Sequence, residues 1–371
     1  MKKELRVVLT GGGTGGHIYP AVAIAGGIKA KIPKAEISFL GTAKGLESEI
    51  IPHAGYPIEF ITVEGMERKF SYKSLLTVKD AFVGVGQAIK LLKNIKPDVV
   101  IGTGGYVSGP VVLAASILNI PAIIHEQNAY PGITNKILNP LVEKVLLTFP
   151  EAKKHFLRKN NLRETGLPVR KEVLGLTKEE AFQALAIPQN KFVVTVVGGS
   201  RGARSINIAM TEVYRKLGDR KDLHIIHVTG ENDYEQTLIR LVDKGIALGE
   251  NVTLRPYMHD IKYALSAADV IVGRAGASFL SEILVLGIPA ILIPYPFAAE
   301  NHQHWNAMSV VDGGAALMIN DKELSGEVLC EAILDIMKNN TKRNAMHLAA
   351  LRLAKPHALD TIVNEVIKLT V

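Results

Sequence analysis

The chain has 371 residues, of which 47% are hydrophobic and 21% are charged, and its formal net charge is +7. This length indicates two domains, and the composition is that of a soluble globular protein rather than a disordered or fibrous one. The single cysteine, Cys330, excludes an intramolecular disulfide and fits a reducing cytoplasm. The positive charge favours anionic partners but is too diffuse to indicate a nucleic-acid-binding surface.

The apolar runs of the chain do not resemble secretion signals or membrane spans. The first run, residues 5–10, is too short for a signal peptide and ends in glycines, so it predicts a first strand. The longest stretches, residues 107–124 and 283–299, are interrupted by proline and glycine, which favours a buried α/β core over a membrane-spanning helix. We therefore expect a cytoplasmic protein.

Apolar, β-branched runs alternate with helical patterns along the whole chain. Such alternation predicts α/β domains in which helices cover both faces of a parallel sheet. The predicted strands are residues 5–10, 37–41, 98–102 and 122–125 in the first half, and residues 192–197, 223–229, 252–254, 269–273 and 290–294 in the second.

The two halves open with the same three parts, a strand, a glycine-rich loop and a helix. The first loop, residues 11–17, reads GGGTGGH, and the second, residues 198–203, reads GGSRGA. This repetition predicts two Rossmann-like domains in tandem, with a boundary near residues 166–176. Because ligands of such sheets bind beyond the carboxyl ends of the strands, we expect the site in a cleft between the domains.

The first loop matches the dinucleotide-binding pattern G-x-G-x-x-G, whose glycines let the backbone approach a phosphate at a helix N-terminus. A dehydrogenase also needs an acidic residue at the end of the second strand, but residues 39–44 read FLGTAK and Glu36 lies at the strand's beginning. This argues against NAD. His17 precedes Pro20, which is predicted to lie in the first helical turn, and is either a general base or a residue that hydrogen-bonds the loop.

Three further segments follow predicted strands. Residues 102–110, GTGGYVSGP, either receive a diphosphate through backbone N–H groups or form a tight packing turn. Residues 125–128, HEQN, would be costly to bury without partners, which favours a functional role over a solvated turn. The loop 198–203 lacks the Gly-Lys-Ser/Thr of a P-loop, but its N–H groups and the Ser200 hydroxyl can cradle a diphosphate.

The second half ends in two polar segments. Residues 274–282, RAGASFLSE, turn from strand into helix, and Glu282 either accepts hydrogen bonds from a ribose diol or is an ordinary solvated glutamate. Residues 300–307, ENHQHWNA, combine amide, imidazole and aromatic groups that suit a sugar. No Asp-x-Asp pair or His/Cys cluster with metal-ligand spacing occurs, so helix N-termini, glycine loops and arginines are predicted to neutralise a diphosphate without metal.

Taken together, these motifs closely resemble the MurG family, the glycosyltransferases that add N-acetylglucosamine to lipid I in peptidoglycan synthesis. They run in family order across nearly the whole chain. The matching residues are 12–17 (GGTGGH), 104–110 (GGYVSGP), 125–128 (HEQN), 198–200 (GGS), Gly276-Ala277 with Ser281-Glu282, and Gln303 with Trp305-Asn306-Ala307. The chain departs from the family pattern at Leu167, where asparagine is common, and at Arg201, where glutamine is frequent.

The resemblance implies a GT-B fold with parallel sheets facing an inter-domain cleft. Residues 1–166, joined by a C-terminal helix at 356–371, form the acceptor and membrane side, and residues 167–355 form the donor side. It implies an inverting transfer of N-acetylglucosamine from UDP-N-acetylglucosamine to lipid I, giving lipid II, without metal or cofactor. Such an enzyme serves cell-wall biogenesis and, through it, cell shape, cell division and the cell cycle.

We predict that His17 or Glu126 removes the proton of the acceptor hydroxyl. The resemblance implies substrate contacts for further residues. On the donor side, Ser200 would contact the diphosphate, the Met258 backbone would contact the uracil, and Gln303 would contact the N-acetylglucosamine hydroxyls. The phosphates and ribose would be contacted by Ala277, Ser278, Phe279, Leu280, Ser281 and Glu282. On the other side, the sugar and acceptor would be contacted by Thr14, Gly15, Gly16 and Asn128, and Arg170 would lie beside the cleft at the linker.

Two other functions remain open from the sequence. A related GT-B transferase that glycosylates a membrane lipid such as diacylglycerol would share the donor half, but not obviously residues 125–128. A GT-B sugar-nucleotide epimerase, in contrast, needs no lipid acceptor and no basic apolar face.

A basic, apolar segment lies between residues 68 and 96. Its only acid is Asp80, and residues 70–83 contain more apolar side chains than one core-facing stripe requires. We therefore expect residues 68–83 to dock the first domain, as a peripheral protein, on the anionic cytoplasmic leaflet, although the helical stripe can also face the core. The basic residues are Arg68, Lys69, Lys73, Lys79, Lys90, Lys93 and Lys96, and the stripe is Leu75, Val78, Phe82, Val85, Ile89 and Leu92.

Overall fold

A computed structural model describes residues 4–63, 72–199 and 202–370, with only the backbone of residues 72–81. The chain divides into two compact units. Unit 1 comprises Met1–Pro168 and Pro356–Val371, and unit 2 comprises Val169–Lys355. The boundary expected after residue 166 lies two residues before the observed one, and the boundary expected after residue 355 coincides with it.

Unit 1 contains a seven-stranded, all-parallel sheet. Its strands are β1 (Arg6–Thr10), β2 (Glu36–Gly41), β3 (Ile58–Phe60), β4 (Val99–Gly102), β5 (Ala122–Glu126), β6 (Lys144–Leu147) and β7 (Leu162–Glu164). Its first helices are α1 (Gly15–Lys31), α2 (Glu47–His53), α3 (Tyr72–Ile95), α4 (Ser108–Ile117) and α5 (Ile133–Leu138). The strand order is β3-β2-β1-β4-β5-β6-β7.

Unit 2 contains a six-stranded, all-parallel sheet. Its strands are β8 (Phe192–Val197), β9 (Leu223–Val228), β10 (Val252–Arg255), β11 (Val270–Gly273), β12 (Ala290–Leu292) and β13 (Ala316–Met318), in the order β10-β9-β8-β11-β12-β13. Its helices are α6 (Lys178–Ala184), α7 (Arg204–Leu217), α8 (Glu231–Asp243), α9 (Ile261–Ala267), α10 (Ala277–Val285), α11 (His302–Asp312), α12 (Gly326–Lys338) and α13 (Asn340–Leu353).

The strand order fixes where ligands can enter each sheet. In unit 1 the order reverses between β1 and β4, and in unit 2 it reverses between β8 and β11. Open α/β sheets bind their ligands at this reversal, outside the carboxyl ends of the strands. The loops that follow these four strands contain glycines at residues 11–13, at 104 and 105, at 198, 199 and 202, and at 276, so each unit has glycine loops at the position where a ligand is expected.

The prediction of two Rossmann-like parallel sheets is confirmed, and the predicted strands are all present. The strands β3, β6, β7 and β13 were not predicted. Each has only three or four residues, too few to show a period. The start of α1 was also misplaced: it begins at Gly15, so Pro20 lies inside the helix and His17 lies in its first turn.

The last helix, α14 (Ala358–Ile367), packs on unit 1. It buries Ile362, Val363 and Val366 in the cluster formed with α1. Gly27 of α1 makes this approach possible, since a Cβ atom there would lie 2.8 Å from Leu359 Cδ1. A largely buried ion pair also holds the helix, with 2.6 Å between Lys144 Nζ and Glu365 Oε2.

A buried polar network crosses unit 2 from α7 to α8. Nε2 of His227 lies 2.9 Å from Asn207 Oδ1, and its Nδ1 lies 2.5 Å from the Tyr214 hydroxyl. The Asn207 amide group donates to Asp233, which also accepts from Arg240. Because the Asn207 oxygen can only accept, His227 carries its proton on Nε2 and is neutral. Burial lowers the pKa of His227 from 6.5 to about 3, and Asp233 only partly opposes this shift.

This network predicts that the protein loses stability in mild acid. Below pH 6.5 the unfolded chain protonates His227, whereas the folded chain does so only near pH 3, so stability falls as the pH decreases between these values. Between pH 7.5 and 5.5 we expect a loss of about 1 kcal/mol from this group. Urea unfolding of His227→Gln, whose side chain cannot titrate, should show a decrease smaller by that amount.

The matched control is His259→Gln, which replaces an exposed histidine of the same unit. The control should keep the pH dependence of the unmodified protein. An identical pH dependence in the His227→Gln and unmodified proteins would contradict the prediction.

Candidate functional site

In unit 1 the loops after β1 and β4 contact each other through their backbones. The Gly12 N–H donates to the Gly104 carbonyl over 3.3 Å. Gly105 has φ +81° and lies so close to Gly12 that a Cβ atom would overlap the Gly12 carbonyl oxygen. Only glycine meets both requirements. The two predicted loops therefore form one surface at the strand-order reversal of unit 1.

His17 lies on this surface, in the first turn of α1. Its Nδ1 is 3.3 Å from the Gly12 carbonyl oxygen and 3.2 Å from Thr14 Oγ1. A carbonyl can only accept, so this contact assigns a proton to Nδ1. The ring lies against Gly104, where a Cβ atom would come 2.9 Å from His17 Cδ2. Thr103 Oγ1 also donates to the His17 carbonyl over 2.7 Å, which fixes the backbone of this turn.

The HEQN segment is buried and internally bonded at His125 and Gln127. His125 Nε2 is 2.9 Å from the Gly166 carbonyl, and its Nδ1 is 3.2 Å from Gln127 Nε2. Gln127 also donates to the Thr103 carbonyl over 2.7 Å. Burial lowers the pKa of His125 to about 4, so the imidazole is neutral at neutral pH. These two side chains connect the end of β5 to the loops at Thr103 and Gly166 by hydrogen bonds. Because both are buried, this segment is not a solvated turn.

Glu126 lies between them with its carboxylate enclosed. Oε1 accepts from the backbone N–H of Asn128 at 2.9 Å and from its side chain at 3.4 Å. Oε2 accepts from the Gly132 N–H at 3.1 Å and from Asn135 Nδ2 at 2.7 Å. Burial raises the pKa of Glu126, and these hydrogen bonds oppose the rise. A carboxylate offers about four acceptor positions, so the four donors use the whole acceptor capacity of Glu126.

Around this surface, Thr14 and Gly16 are exposed, whereas Gly15 and Asn128 are half-buried. Thr14, Gly15, Gly16 and His17 follow β1, and Glu126 and Asn128 lie at and just after the end of β5. A Cβ atom on Gly104 would lie 2.9 Å from His17 Cδ2 and 3.5 Å from Gln127 Oε1, so the two segments approach each other at this glycine.

In unit 2, Glu282 is bound to Arg170. Nε of Arg170 is 2.5 Å from Glu282 Oε1, and its Nη2 is 2.8 Å from Oε2. The Glu282 side chain is 10% exposed and that of Arg170 is 51% exposed. Hydrogen bonding to Glu282 raises the pKa of Arg170. Glu282 is thus not the solvated glutamate of the alternative interpretation. The two parallel hydrogen bonds from Arg170, here called the Arg170 fork, leave about two acceptor positions of the carboxylate for other donors.

The rest of the 277–282 segment forms the first turns of α10. Leu280 is fully buried and its N–H bonds the Gly276 carbonyl, and Ser281 Oγ donates to the Ala277 carbonyl. The first N–H groups of a helix have no partner within it, so those of Ala277, Ser278 and Phe279 are the groups that an anion can reach. Leu280 therefore contributes its position in the helix, whereas the Ser281 hydroxyl, whose proton goes to Ala277, keeps its acceptor positions.

Gln303, in the first turn of α11, is held by its side-chain oxygen. Oε1 accepts from the Ala275 N–H at 3.2 Å and from the Tyr295 N–H at 3.0 Å, so the amide nitrogen is the end that can donate to a ligand. Two residues in the left-handed region, Glu300 (φ 52°) and Asn301 (φ 55°), precede the helix. Such strained positions persist where the surroundings impose them, and here they set the start of α11.

Two further residues, Met258 and Ser200, were selected in unit 2. Met258 follows the edge strand β10, and its partly buried side chain packs against the cluster around Phe182. Ser200 and Arg201 lie outside the described residues. The next residue, Gly202, has φ +77°, and a Cβ atom there would overlap the Thr229 carbonyl oxygen.

Sequence reasoning assigned no role to Arg274, although this residue ends a predicted strand at the site. One of its guanidinium nitrogens, Nη1, is 3.0 Å from the Ile293 carbonyl and 2.5 Å from Asp321, and the other, Nη2, is 2.9 Å from Ser205 Oγ. Arg274 therefore joins the ends of β11 and β12 to the start of α7. The sequence signal that could have identified this residue was its position directly after a buried strand, where a cation can reach the site.

In the described part of the chain, no group of three or more His, Cys, Asp or Glu residues is arranged to hold a metal ion. No helix within the described ranges combines the length and apolar character that crossing a bilayer requires.

Comparison with known proteins gives matches to both units. Residues 7–147 match the glycosyltransferase family 28 N-terminal domain, and residues 193–362 match its C-terminal domain. A relative from Desulforamulus reducens is 46% identical over 98% of this chain and 99% of its own length. One from Moorella thermoacetica is 45% identical with the same coverage. Both are named UDP-N-acetylglucosamine--N-acetylmuramyl-(pentapeptide) pyrophosphoryl-undecaprenol N-acetylglucosamine transferase.

Two solved structures share the architecture of this chain. MurG of Acinetobacter baumannii superposes with a TM-score of 0.79 at 29% identity, covering 98% of this chain and 99% of that one. UDP-GlcNAc 2-epimerase from Neisseria meningitidis superposes with a TM-score of 0.68 at 14% identity, over 99% of this chain and 100% of that one, a likeness of fold alone. The expected GT-B fold is therefore confirmed, and the chain belongs to the MurG family of glycosyltransferases, within glycosyltransferase family 28.

Proposed function

We propose that this chain transfers N-acetylglucosamine from UDP-N-acetylglucosamine to lipid I, giving lipid II, with inversion and without a metal. The observation that carries the proposal is the sequence identity of 45% and 46%, over 98% of this chain, to two relatives whose names state this activity. The geometry agrees, because each unit places glycine loops at the strand-order reversal of its own sheet, and a transferase needs one binding surface for each of two substrates.

The donor surface is proposed to lie in unit 2. The N-terminus of α10 faces the diphosphate with unpaired N–H groups and the positive end of the helix dipole. Glu282 accepts from the ribose hydroxyls with the positions that Arg170 leaves, and the Arg170 fork fixes the plane of that carboxylate. Gln303 donates its amide N–H to a sugar hydroxyl, while Ser200 and the Met258 backbone remain proposed contacts of diphosphate and uracil.

The first prediction from this surface concerns the ribose. Glu282→Ala should weaken UDP binding by about 1.5–3 kcal/mol, the range for hydrogen bonds to a charged group. Because the lost bonds go to the ribose hydroxyls, binding of a 2′,3′-dideoxy analogue should change much less. Calorimetric titration of UDP with EDTA present measures both, since no metal is needed for binding.

Glu331→Ala removes an exposed glutamate of α12 and is the matched control, with unchanged affinity expected. Arg170→Lys keeps the positive charge but loses the fork, so its affinity should lie between those of the Glu282→Ala and unmodified proteins. Loss of UDP binding on metal chelation, or normal binding by Glu282→Ala, would refute this assignment.

The acceptor surface is proposed to lie in unit 1, on Thr14, Gly15, Gly16 and Asn128. Of the two candidate bases, the geometry supports His17. Its Nδ1–H points to the Gly12 carbonyl, so Nε2 carries the lone pair that can receive a proton. Glu126 already accepts four hydrogen bonds, so we assign it the role of holding residues 128–135 in place.

The reaction then follows as a single displacement. The acceptor hydroxyl oxygen bonds to the anomeric carbon of N-acetylglucosamine from the face opposite the diphosphate, which inverts that centre. The bond between the anomeric carbon and the diphosphate oxygen breaks, and UDP leaves with the electron pair. The hydroxyl proton passes to Nε2 of His17, and backbone N–H groups at α10 stabilise the charge on the departing diphosphate.

The second prediction tests the activity and the base together. With UDP-N-acetylglucosamine and a lipid I analogue, the unmodified protein should form the lipid II analogue, and without an acceptor it should form no epimer. His17→Ala should lower kcat by about 10²–10⁴-fold, the usual contribution of a general base, with UDP affinity unchanged. Radiolabel transfer measures the rate, and calorimetry measures UDP affinity.

His53→Ala replaces an exposed histidine of α2 and should behave as the unmodified protein. Epimer formed without acceptor, or sugar transferred to diacylglycerol in preference to lipid I, would replace the proposed function. A His17→Ala protein with full turnover would remove the base assignment alone.

Membrane docking is also part of the proposal. Residues 68–71 lie outside the described residues and only the backbone of residues 72–81 is described, but Phe82 is 72% exposed and Val83 is exposed beside it. Helix α3 packs on α4 and α4 on α5, where Ile133 and Ile137 are exposed and Lys136 lies over the Tyr130 ring. Exposed apolar side chains next to cations are typical of an interfacial surface, and an anionic leaflet fits this one.

The third prediction tests this surface in vesicles. Phe82→Ser with Ile137→Ser should reduce sedimentation with anionic vesicles because the apolar contact is lost. Lys136→Glu should weaken it at least about fivefold, since each cation near an anionic surface contributes about 1 kcal/mol. Neutral vesicles should bind all variants poorly.

The control is Leu238→Ser with Val242→Ser, which removes exposed apolar side chains of α8 in unit 2. Binding that does not depend on lipid charge, or the same loss of binding in the control, would refute the proposal that this face of unit 1 docks on an anionic membrane.

A further inference from the structure

Glu47 is a fully buried acid outside the segments discussed so far. It is the first residue of α2 and has no exposed surface. Its Oε2 accepts from the Gly13 N–H at 3.1 Å. Its Oε1 accepts from the Thr42 N–H at 3.2 Å and from the Thr42 hydroxyl at 2.7 Å. The carboxylate is therefore fully enclosed by donors, one of which belongs to the first glycine loop.

The surrounding glycines make room for this carboxylate. A Cβ atom at Gly12 would lie 2.6 Å from Glu47 Oε1, and one at Gly45 would overlap Oε2. The loop thus needs glycine at position 12 to let a buried acid reach its backbone, in addition to any need to approach a phosphate. A buried acid this closely surrounded is costly to replace, which indicates a specific use.

The peptide that Glu47 holds is the one that His17 contacts. The Gly13 N–H and the Gly12 C=O are the two ends of a single planar peptide group. Glu47 accepts from its N–H end, and His17 Nδ1 donates to its C=O end over 3.3 Å. The result is a hydrogen-bonded chain from carboxylate through peptide to imidazole. Each bond in such a chain polarises the next, so the carboxylate makes the Gly12 oxygen a better acceptor.

A second branch of the network reaches the loop after β4. The single hydroxyl proton of Thr42 goes to Glu47, so the Tyr106 hydroxyl, 3.2 Å away, donates to Thr42 Oγ1. The Tyr106 ring lies against Gly13, where a Cβ atom would come 2.9 Å from Cε1. Glu47 therefore fixes the Gly12–Gly13 peptide from one side and the tyrosine that covers it from the other.

We propose that Glu47 is a positioning residue for His17, which it orients through the Gly12–Gly13 peptide. It holds the imidazole in the Nδ1–H form and keeps the lone pair on Nε2. The arrangement matches the role of the aspartate that orients a catalytic histidine, with a peptide group inserted between the two side chains. This inference rests on the proposed function for the use of His17, but the orientation of the ring can be measured without any substrate.

Glu47→Gln is the sharpest variant because it changes one atom. The amide oxygen can keep the two bonds to Thr42, and its NH₂ group then faces the Gly13 N–H, so only the branch to His17 is broken. Nitrogen-15 NMR of histidine-labelled protein, with the His17 signal assigned from His17→Ala, should show the Nδ1–H tautomer losing its predominance. Turnover should fall about 10- to 100-fold, as for a displaced catalytic group, with the KM for UDP-N-acetylglucosamine within twofold of normal.

A double-mutant cycle separates positioning from a general structural effect. If Glu47 acts through His17, adding Glu47→Gln to His17→Ala should cost less than about threefold further, since the group it orients is absent. Thr42→Val removes the hydroxyl that donates to Glu47 Oε1 and accepts from Tyr106, but it keeps the bond from the Gly13 N–H to Oε2, so the tautomer should stay as it is. Glu49→Gln, an exposed acid of the same helix, is the matched control for both measurements.

A Glu47→Gln protein with an unchanged His17 tautomer, or with fully additive losses in the cycle, would overturn the inference. Failure of the unmodified protein to make lipid II would instead overturn the proposed function. The tautomer measurement would in that case still decide whether Glu47 orients His17.

Discussion

The close approach of one backbone to another at the ends of the strands is the constraint on which both units depend. Gly105 lies over the Gly12 carbonyl in unit 1, and Gly202 lies over the Thr229 carbonyl in unit 2. Both glycines have positive φ, so a side chain is excluded by conformation as well as by space. These contacts hold adjacent loops together through their backbones, at the position where the strand order reverses.

Short-range patterns in the sequence were sufficient for the architecture. The central strands are β-branched runs that are buried on both faces, so they are recognisable without knowledge of their partners. The glycine loops are equally local. The short strands β3 and β13 were missed because three residues carry no period, and their pairing depends on neighbours far along the chain. The position of α1 was misjudged because Pro20 is tolerated inside it.

The internal contacts of the site could not be obtained in the same way. Arg170 and Glu282 are separated by 112 residues, and no local pattern relates them. Glu47 has the sequence context of an ordinary first-turn acid, and only the fold shows the loop bound to it. The HEQN segment shows what the sequence could and could not predict. Its polarity at the end of a strand indicated a site. The separate roles of His125, Glu126 and Gln127 depend on hydrogen-bond partners in three other segments, which the sequence does not reveal.

The return of α14 to unit 1 has a consequence for how the protein is made. Unit 2 is continuous in sequence, whereas unit 1 is interrupted and receives its last helix from the end of the chain. On the ribosome, unit 2 therefore has all its residues available before unit 1 does. Until residues 358–367 emerge, the surface of α1 that they cover is apolar and open to solvent. The apolar surface of α1 is therefore completed only after all of unit 2 has been synthesised.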